Sequence, residues 1–161
     1  MLEKLFLKML EFYAGNRSDI EHFVKVHAYA RQLGLLEGLD ARTQFTLEAA
    51  AIVHDIACPL CRKKYGNTLG SNQERESEAI LRPFLAEFAL DPDTLERIVY
   101  LVSRHHTYTG VDGADCQILL EADFLVNAGE SGYSRETIES FRSSVFKTAS
   151  GLRLLHGIYG V

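Results

Sequence analysis

Only three of the 161 residues are cysteine, Cys58, Cys61 and Cys116. An odd and small number of thiols gives no disulfide framework. Positive charge is also short: the formal net charge is −5. That removes the electrostatic case for wrapping nucleic acid or lying on an anionic membrane. No apolar run approaches the roughly 18 residues that a membrane span needs. The opening stretch from Met1 to Leu10 is too short and too charged for a signal-peptide core. A cytoplasmic protein is the expectation. Period-two alternation is missing, so no strand is expected. There is no repeat, low-complexity tract or linker.

What the chain does have is helical periodicity nearly throughout, on an ordinary globular balance of 47% apolar and 24% charged residues. A first amphipathic segment covers 2–14. Ser18 with Glu21 forms an S-x-x-E capping box for a helix to about Leu33, stopped by Gly34. A third helix runs from about Asp40 to Ile56. Residues 57–70, with Pro59, Gly66 and Gly70, read as a loop. Ser71 with Glu74 forms a second box, opening a helix to about Phe88 with a kink at Pro83. Asp91-Pro92 starts a helix to about Ser103. Residues 107–113 form a turn, 115–129 a helix, Ser134 caps another to about Thr148, and a short one follows Gly151. The expected fold is a single compact all-α domain, 1–161, of about seven helices. Its motif-bearing core covers about 17–130, with C-terminal helices over 134–161 packing on it.

Polar exceptions on the apolar faces carry the functional signal. His54-Asp55 ends the run Ala49-Ala50-Ala51-Ile52-Val53. Buried helices avoid ionisable groups unless something compensates their desolvation. His22 lies on the stripe that continues through Val26, Tyr29 and Leu33. Asp123 sits among Ile118, Leu119, Leu120, Phe124, Leu125 and Val126. Each residue alone has an ordinary explanation: a satisfied core histidine, a helix terminus, an acid paired with arginine. Together, two imidazoles and two carboxylates suit one divalent cation, with positions left for water and substrate.

The order His22, thirty-one residues, His54-Asp55, sixty-seven residues, Asp123 resembles the HD superfamily of metal-dependent phosphohydrolases. The phrases Asp19-Ile20-Glu21-His22-Phe23-Val24-Lys25-Val26, Ala50-Ala51-Ile52-Val53-His54-Asp55-Ile56 and Glu121-Ala122-Asp123-Phe124-Leu125-Val126-Asn127 fit the same pattern. Lys64-Tyr65-Gly66 and His105-His106-Thr107-Tyr108 resemble a small bacterial branch of it. The resemblance implies an HD-type helical bundle in which His22, His54, Asp55 and Asp123 hold a divalent ion: manganese, iron, zinc, cobalt, nickel or magnesium. One ion is expected, with room for a second. It further implies that the ion acidifies a water and polarises a phosphoryl oxygen, with Asp55 orienting the water or bridging to the second metal. The implied substrate is a small phosphorylated molecule such as a nucleotide, not a nucleic-acid polymer. Some members instead perform oxygenase chemistry at a di-iron site.

His105-His106 ends an apolar helix, Val99-Tyr100-Leu101-Val102, where either histidine could bind a second metal or protonate the leaving oxygen. Both could equally be helix C-terminal histidines favoured by the dipole. The chain departs from the two-metal pattern, with no histidine between 55 and 104 and Cys58 where nucleotidases of the superfamily carry a glutamate. Glu76 and Glu78 read as a solvated face. These departures motivate the alternative of a non-catalytic, regulatory metal- and nucleotide-binding module. Cys58-Pro59-Leu60-Cys61 lacks the strand of a redox motif and the second cysteine pair of a zinc knuckle, so loop packing is its reading. Arg62, Lys63 and Lys64 are candidates for holding a substrate phosphate. His27, about 140° around the helix from His22, is not expected on the same metal, and His156 reads as incidental. The apolar tail, including Phe141, Val145, Phe146, Leu152, Leu154 and Leu155, either packs on the core or makes a homodimer.

Overall fold

The computed structural model describes residues 1–161, and it is helical without strands. Nine α-helices form: α1 (Leu2–Phe12), α2 (Arg17–Leu36), α3 (Ala41–Val53), α4 (Cys58–Tyr65), α5 (Gly70–Leu85), α6 (Pro92–Val102), α7 (Ala114–Glu130), α8 (Arg135–Ser144) and α9 (Ala149–Tyr159). A single 3-10 turn, Ala86–Phe88, follows α5. No helix is long and apolar enough to cross a membrane.

Helix α3 is the axis of the packing. Its last turns, Leu47 and Ala49 to Val53, are buried on every side. A helix apolar all round must be surrounded, and α1, α2, α6 and α7 all lie against it. The small alanines let those neighbours approach. One cluster of 31 buried apolar residues joins them, from Leu5 and Met9 on α1 to Leu155 on α9. Phe146 and Leu155 are buried in this cluster, Phe141, Leu152 and Leu154 pack against it, and Val145 is also buried. The apolar tail therefore lies on the chain's own core.

Several local expectations are corrected. The count rises above seven chiefly because residues 58–65 are helical rather than loop. Pro59 falls in the first turn of α4, where its missing N–H costs nothing, and Gly66 ends the helix with φ +69°. Helix α2 runs through Gly34 to Leu36. The glycine serves interhelical approach instead: a Cβ there would strike the Gln44 side chain of α3. Its N-cap is Asn16, which accepts from the Asp19 N–H, while Glu21 pairs with Arg17 rather than closing a box on Ser18. Ser71 lies inside α5, and Glu74 reaches out of the helix to accept from His106 N–H and Thr107 Oγ1. Asp91 and Ser134 cap α6 and α8 through their side chains as expected, and Asp40 caps α3 in the same way. Helix α8 stops at Ser144, and Thr148 caps α9, which passes through Gly151.

Candidate metal centre

Four elements converge at one end of α3. His22 comes from the second turn of α2. His54 and Asp55 occupy the turn that leaves α3, and His105 and His106 the turn that leaves α6. Asp123 comes from the middle of α7. Tyr13, just past α1, donates its hydroxyl to the Asp55 carbonyl at 2.6 Å and so fixes the turn from below. Gly70 at the start of α5 makes room for His106: a Cβ there would lie 2.5 Å from the ring.

One local device is used twice. His54 Nδ1 donates to the Ala51 carbonyl at 2.8 Å, and His105 Nδ1 donates to the Val102 carbonyl at 2.7 Å. Each imidazole folds back three residues onto the helix it terminates. The bond fixes the tautomer of the neutral ring, so that each Nε2, once it has lost its proton, presents a lone pair to the interior. His22 is held in the same way from outside, its Nδ1 lying 2.8 Å from Glu130 Oε2. Lys25 holds the other Glu130 oxygen at 3.0 Å.

The free ends of these side chains meet. His22 Nε2 lies 3.1 Å from His54 Nε2, 3.2 Å from Asp123 Oδ1 and 3.5 Å from Asp55 Oδ2. His54 Nε2 lies 3.6 Å from Asp123 Oδ1 and 3.7 Å from Asp55 Oδ1. His105 Nε2 lies 3.3 Å from Asp55 Oδ1, at an angle that makes no hydrogen bond, and His106 Nε2 is buried with no partner at all. Ligands about 2.1 Å from a shared ion stand roughly 3.0–3.4 Å from one another. The observed edges run from 3.1 to 3.7 Å, overlapping that spacing and extending slightly above it. The donors fall into two sets, His22–His54–Asp123 and Asp55–His105–His106, each with its ligand atoms within 4.8 Å of one another. Imidazole nitrogen and carboxylate oxygen are the donors that zinc, iron and manganese take, so the residues fit a divalent cation and include a second set beside the first.

Without a cation, protons must answer the buried carboxylates. Burial would raise the Asp123 pKa, but the imidazoles of His22 and His54 beside it hold it well below the usual range. Burial works the same way on Asp55, where the fields of His54, His105 and His22 override it. Burial would lower His22, yet the hydrogen bond to Asp123 and the charges of Asp55, Asp123 and Glu130 raise it to about 10. His106 behaves oppositely: burial first, then the neighbouring His105, push it down to about 4. At neutral pH its lone pair is free to bind a metal or accept a proton.

A cleft of about 340 Å³ opens onto this centre. His22, Asp55 and His106 line it, while His105 lies behind, 1% exposed. Arg62 also lines it, gripped by Asp19 through two bonds of 2.6 and 2.7 Å. Lys63 and Lys64 do not line it; Lys64 pairs with Glu76 on α5. Cys58 faces the cleft, with burial and the nearby Asp55 raising its thiol pKa. His27 turns away to Glu48 at 3.1 Å, and Glu78 pairs with Arg82, so neither joins the centre. Sequence reasoning gave no role to Glu130, Gln73, Tyr108 or Tyr133, all of which line the cleft. For Glu130 a signal existed: it follows Asp123 by seven residues, two turns along the same face of one helix.

Comparison with protein-family models, with curated proteins and with solved structures finds no match to this chain.

Proposed function

We propose that the protein is a metal-dependent phosphohydrolase of the HD superfamily, acting in the cytoplasm on a small phosphate ester such as a nucleotide. The observation that carries the reading is the convergence of six ligand-type side chains, His22, His54, Asp55, His105, His106 and Asp123, at the floor of an open cleft. His22, His54 and Asp123 would hold one divalent cation, and Asp55 with His105 and His106 a second. Bound there, a cation would supply Lewis acidity toward a phosphoryl oxygen and lower the pKa of water.

The chain's own groups supply the rest. Asp55 is the carboxylate that belongs to both the floor and the cleft, so it orients the attacking water. His106, proton-poor and facing the cleft, accepts a proton or a metal rather than donating one. Carboxylates of Asp19, Asp55 and Glu130 line the cleft, and Arg62 is its lone guanidinium or ammonium lining group. A phosphate therefore enters only against a bound cation, with Arg62 released from Asp19 to meet it. The test is metal content and phosphatase activity across a substrate panel for the wild type and Asp55→Ala. Metal-free wild-type protein, or an unchanged variant, contradicts the reading.

A second reading is a regulatory module that binds metal and nucleotide without turnover. Cys58 favours it, because a thiol with a raised pKa stands in the cleft three residues after Asp55. Tight nucleotide binding with no hydrolysis under several metals would select this reading. An iron-dependent optical band would point to oxygenase chemistry instead.

A further inference from the structure

The cleft has a second wall that the metal centre does not use. Four rings line it in an unbroken chain of contacts: Tyr108 meets Phe141 edge-on at 5.3 Å, Phe141 stacks on Phe124 at 4.2 Å, and Phe124 meets Tyr133 at 5.8 Å. Phe124 and Phe141 cover each other. Tyr108 and Tyr133, at the two ends, stay 38% and 39% exposed. These rings come from three places in the chain, the loop after α6, helix α7 and the segment through α8, yet they face one opening. Phe124 directly follows Asp123, and Tyr108 follows His106 by two residues, so the wall begins where the ligand set ends.

A second observation points to a ligand there. Gln73 lines the same cleft, is 4% exposed, and spends its amide N–H on the Thr68 carbonyl at 3.0 Å. Its Oε1 is buried with no partner. An unanswered buried acceptor costs stability unless something arrives to fill it. The cleft volume, about 340 Å³, lies in the range of small-ligand sites.

We propose that Tyr108 and Tyr133 are the specificity-determining residues of this cleft. They take the planar ring of the ligand's organic half, and Gln73 Oε1 accepts a hydrogen bond from an N–H or O–H on the ligand. Calling that ring the organic half of a phosphate ester rests on the hydrolase reading; the wall itself does not. Ring stacking tolerates many planar partners, since each has a π-face, so the cleft selects ring-bearing molecules over aliphatic ones before it selects among rings.

The test is calorimetric binding of adenosine and of ribose to the purified protein, with no turnover involved. Adenosine is expected to bind and ribose not. The double variant Tyr108→Leu/Tyr133→Leu should weaken adenosine about tenfold or more, while Tyr108→Phe/Tyr133→Phe, which keeps both rings, should bind within about threefold of wild type. Both positions are half-exposed, so folding is checked simply by the melting temperature of each variant. Equal responses to adenosine and ribose, or undiminished adenosine binding in a folded leucine variant, overturns the proposal. Absent phosphatase activity alongside ring-dependent adenosine binding would sink the hydrolase reading and leave the wall standing. Phosphatase activity with equal preference for adenosine monophosphate and glycerol phosphate would do the reverse.

Discussion

Glu121 and Asp123 stand two residues apart on α7, both carboxylates, both almost wholly buried. Their surroundings differ in kind. Glu121 receives the Gln117 amide at 2.8 Å, the backbone N–H groups of Lys147 and Thr148 at 2.7 and 3.0 Å, and the Thr148 hydroxyl. Those donors are fixed to the protein and complete without any visitor, so Glu121 anchors the entry to α9. Asp123 receives one amide, from Asn127 at 2.8 Å, and otherwise faces imidazole nitrogens whose opposite edges are already tied to carbonyls or to Glu130. Backbone donors answer a carboxylate permanently. Imidazoles answer it only by carrying a proton, and a metal replaces that proton.

The comparison breaks if the two acids respond alike. The largest effect is expected from Asp123→Asn. Losing a metal ligand should remove several kcal/mol of transition-state stabilisation, about a thousandfold in kcat/KM, with loss of bound metal. Metal analysis beside a phosphatase assay reads both. Next comes the pH response of chelated protein. His22 titrates at about 10, above its ordinary 6.5. Its stabilisation is complete below about pH 6.5 and is lost as pH climbs through about 10, on the order of a few kcal/mol. Asp55 and Asp123 are shifted below 3.8, so their contribution is lost on the acid side, as pH falls through their lowered values. Urea titrations from pH 6 to 10 should show chelated protein weakening while metal-loaded protein holds, because there the imidazoles carry the cation rather than a proton.

Glu121→Ala should cost about 3 kcal/mol in urea unfolding, from the donors left unanswered, while bound metal stays. Loss of metal in this variant would mean that the two carboxylates are one network. The smallest effect is assigned to Glu130→Gln. It loosens the Nδ1 side of His22 and should weaken metal binding roughly 10–100-fold without removing it, measured by competition with a chelator.

Much of this was legible from residue order. Helical periodicity placed the long helices α2, α3, α6 and α7, because each buries an apolar face long enough to read. His22, His54, Asp55 and Asp123 stood out as ionisable groups where burial should have forbidden them, and the structure brings all four together. What escaped had a physical cause. Helix α4 is eight residues long, and Pro59 and Gly66 punctuate its ends, so local signals could not separate it from a loop. Gly34 reads as a stop from sequence, yet it is a close approach whose reason, Gln44, lies on another helix. Glu74 has the spacing of a cap, but its partners, His106 and Thr107, are thirty-two and thirty-three residues away. Gln73, Tyr108 and Tyr133 are ordinary residues of a helix start and two loops until folding turns them to one cleft.

The proposed function requires a divalent cation among the imidazoles answering Asp123. Crystals of protein purified with manganese, measured for anomalous scattering, test it most directly. A peak is expected between His22 Nε2, His54 Nε2 and Asp123 Oδ1, lost in Asp123→Asn and kept in Glu121→Ala. A folded wild-type protein with manganese present and no peak at that position would contradict it.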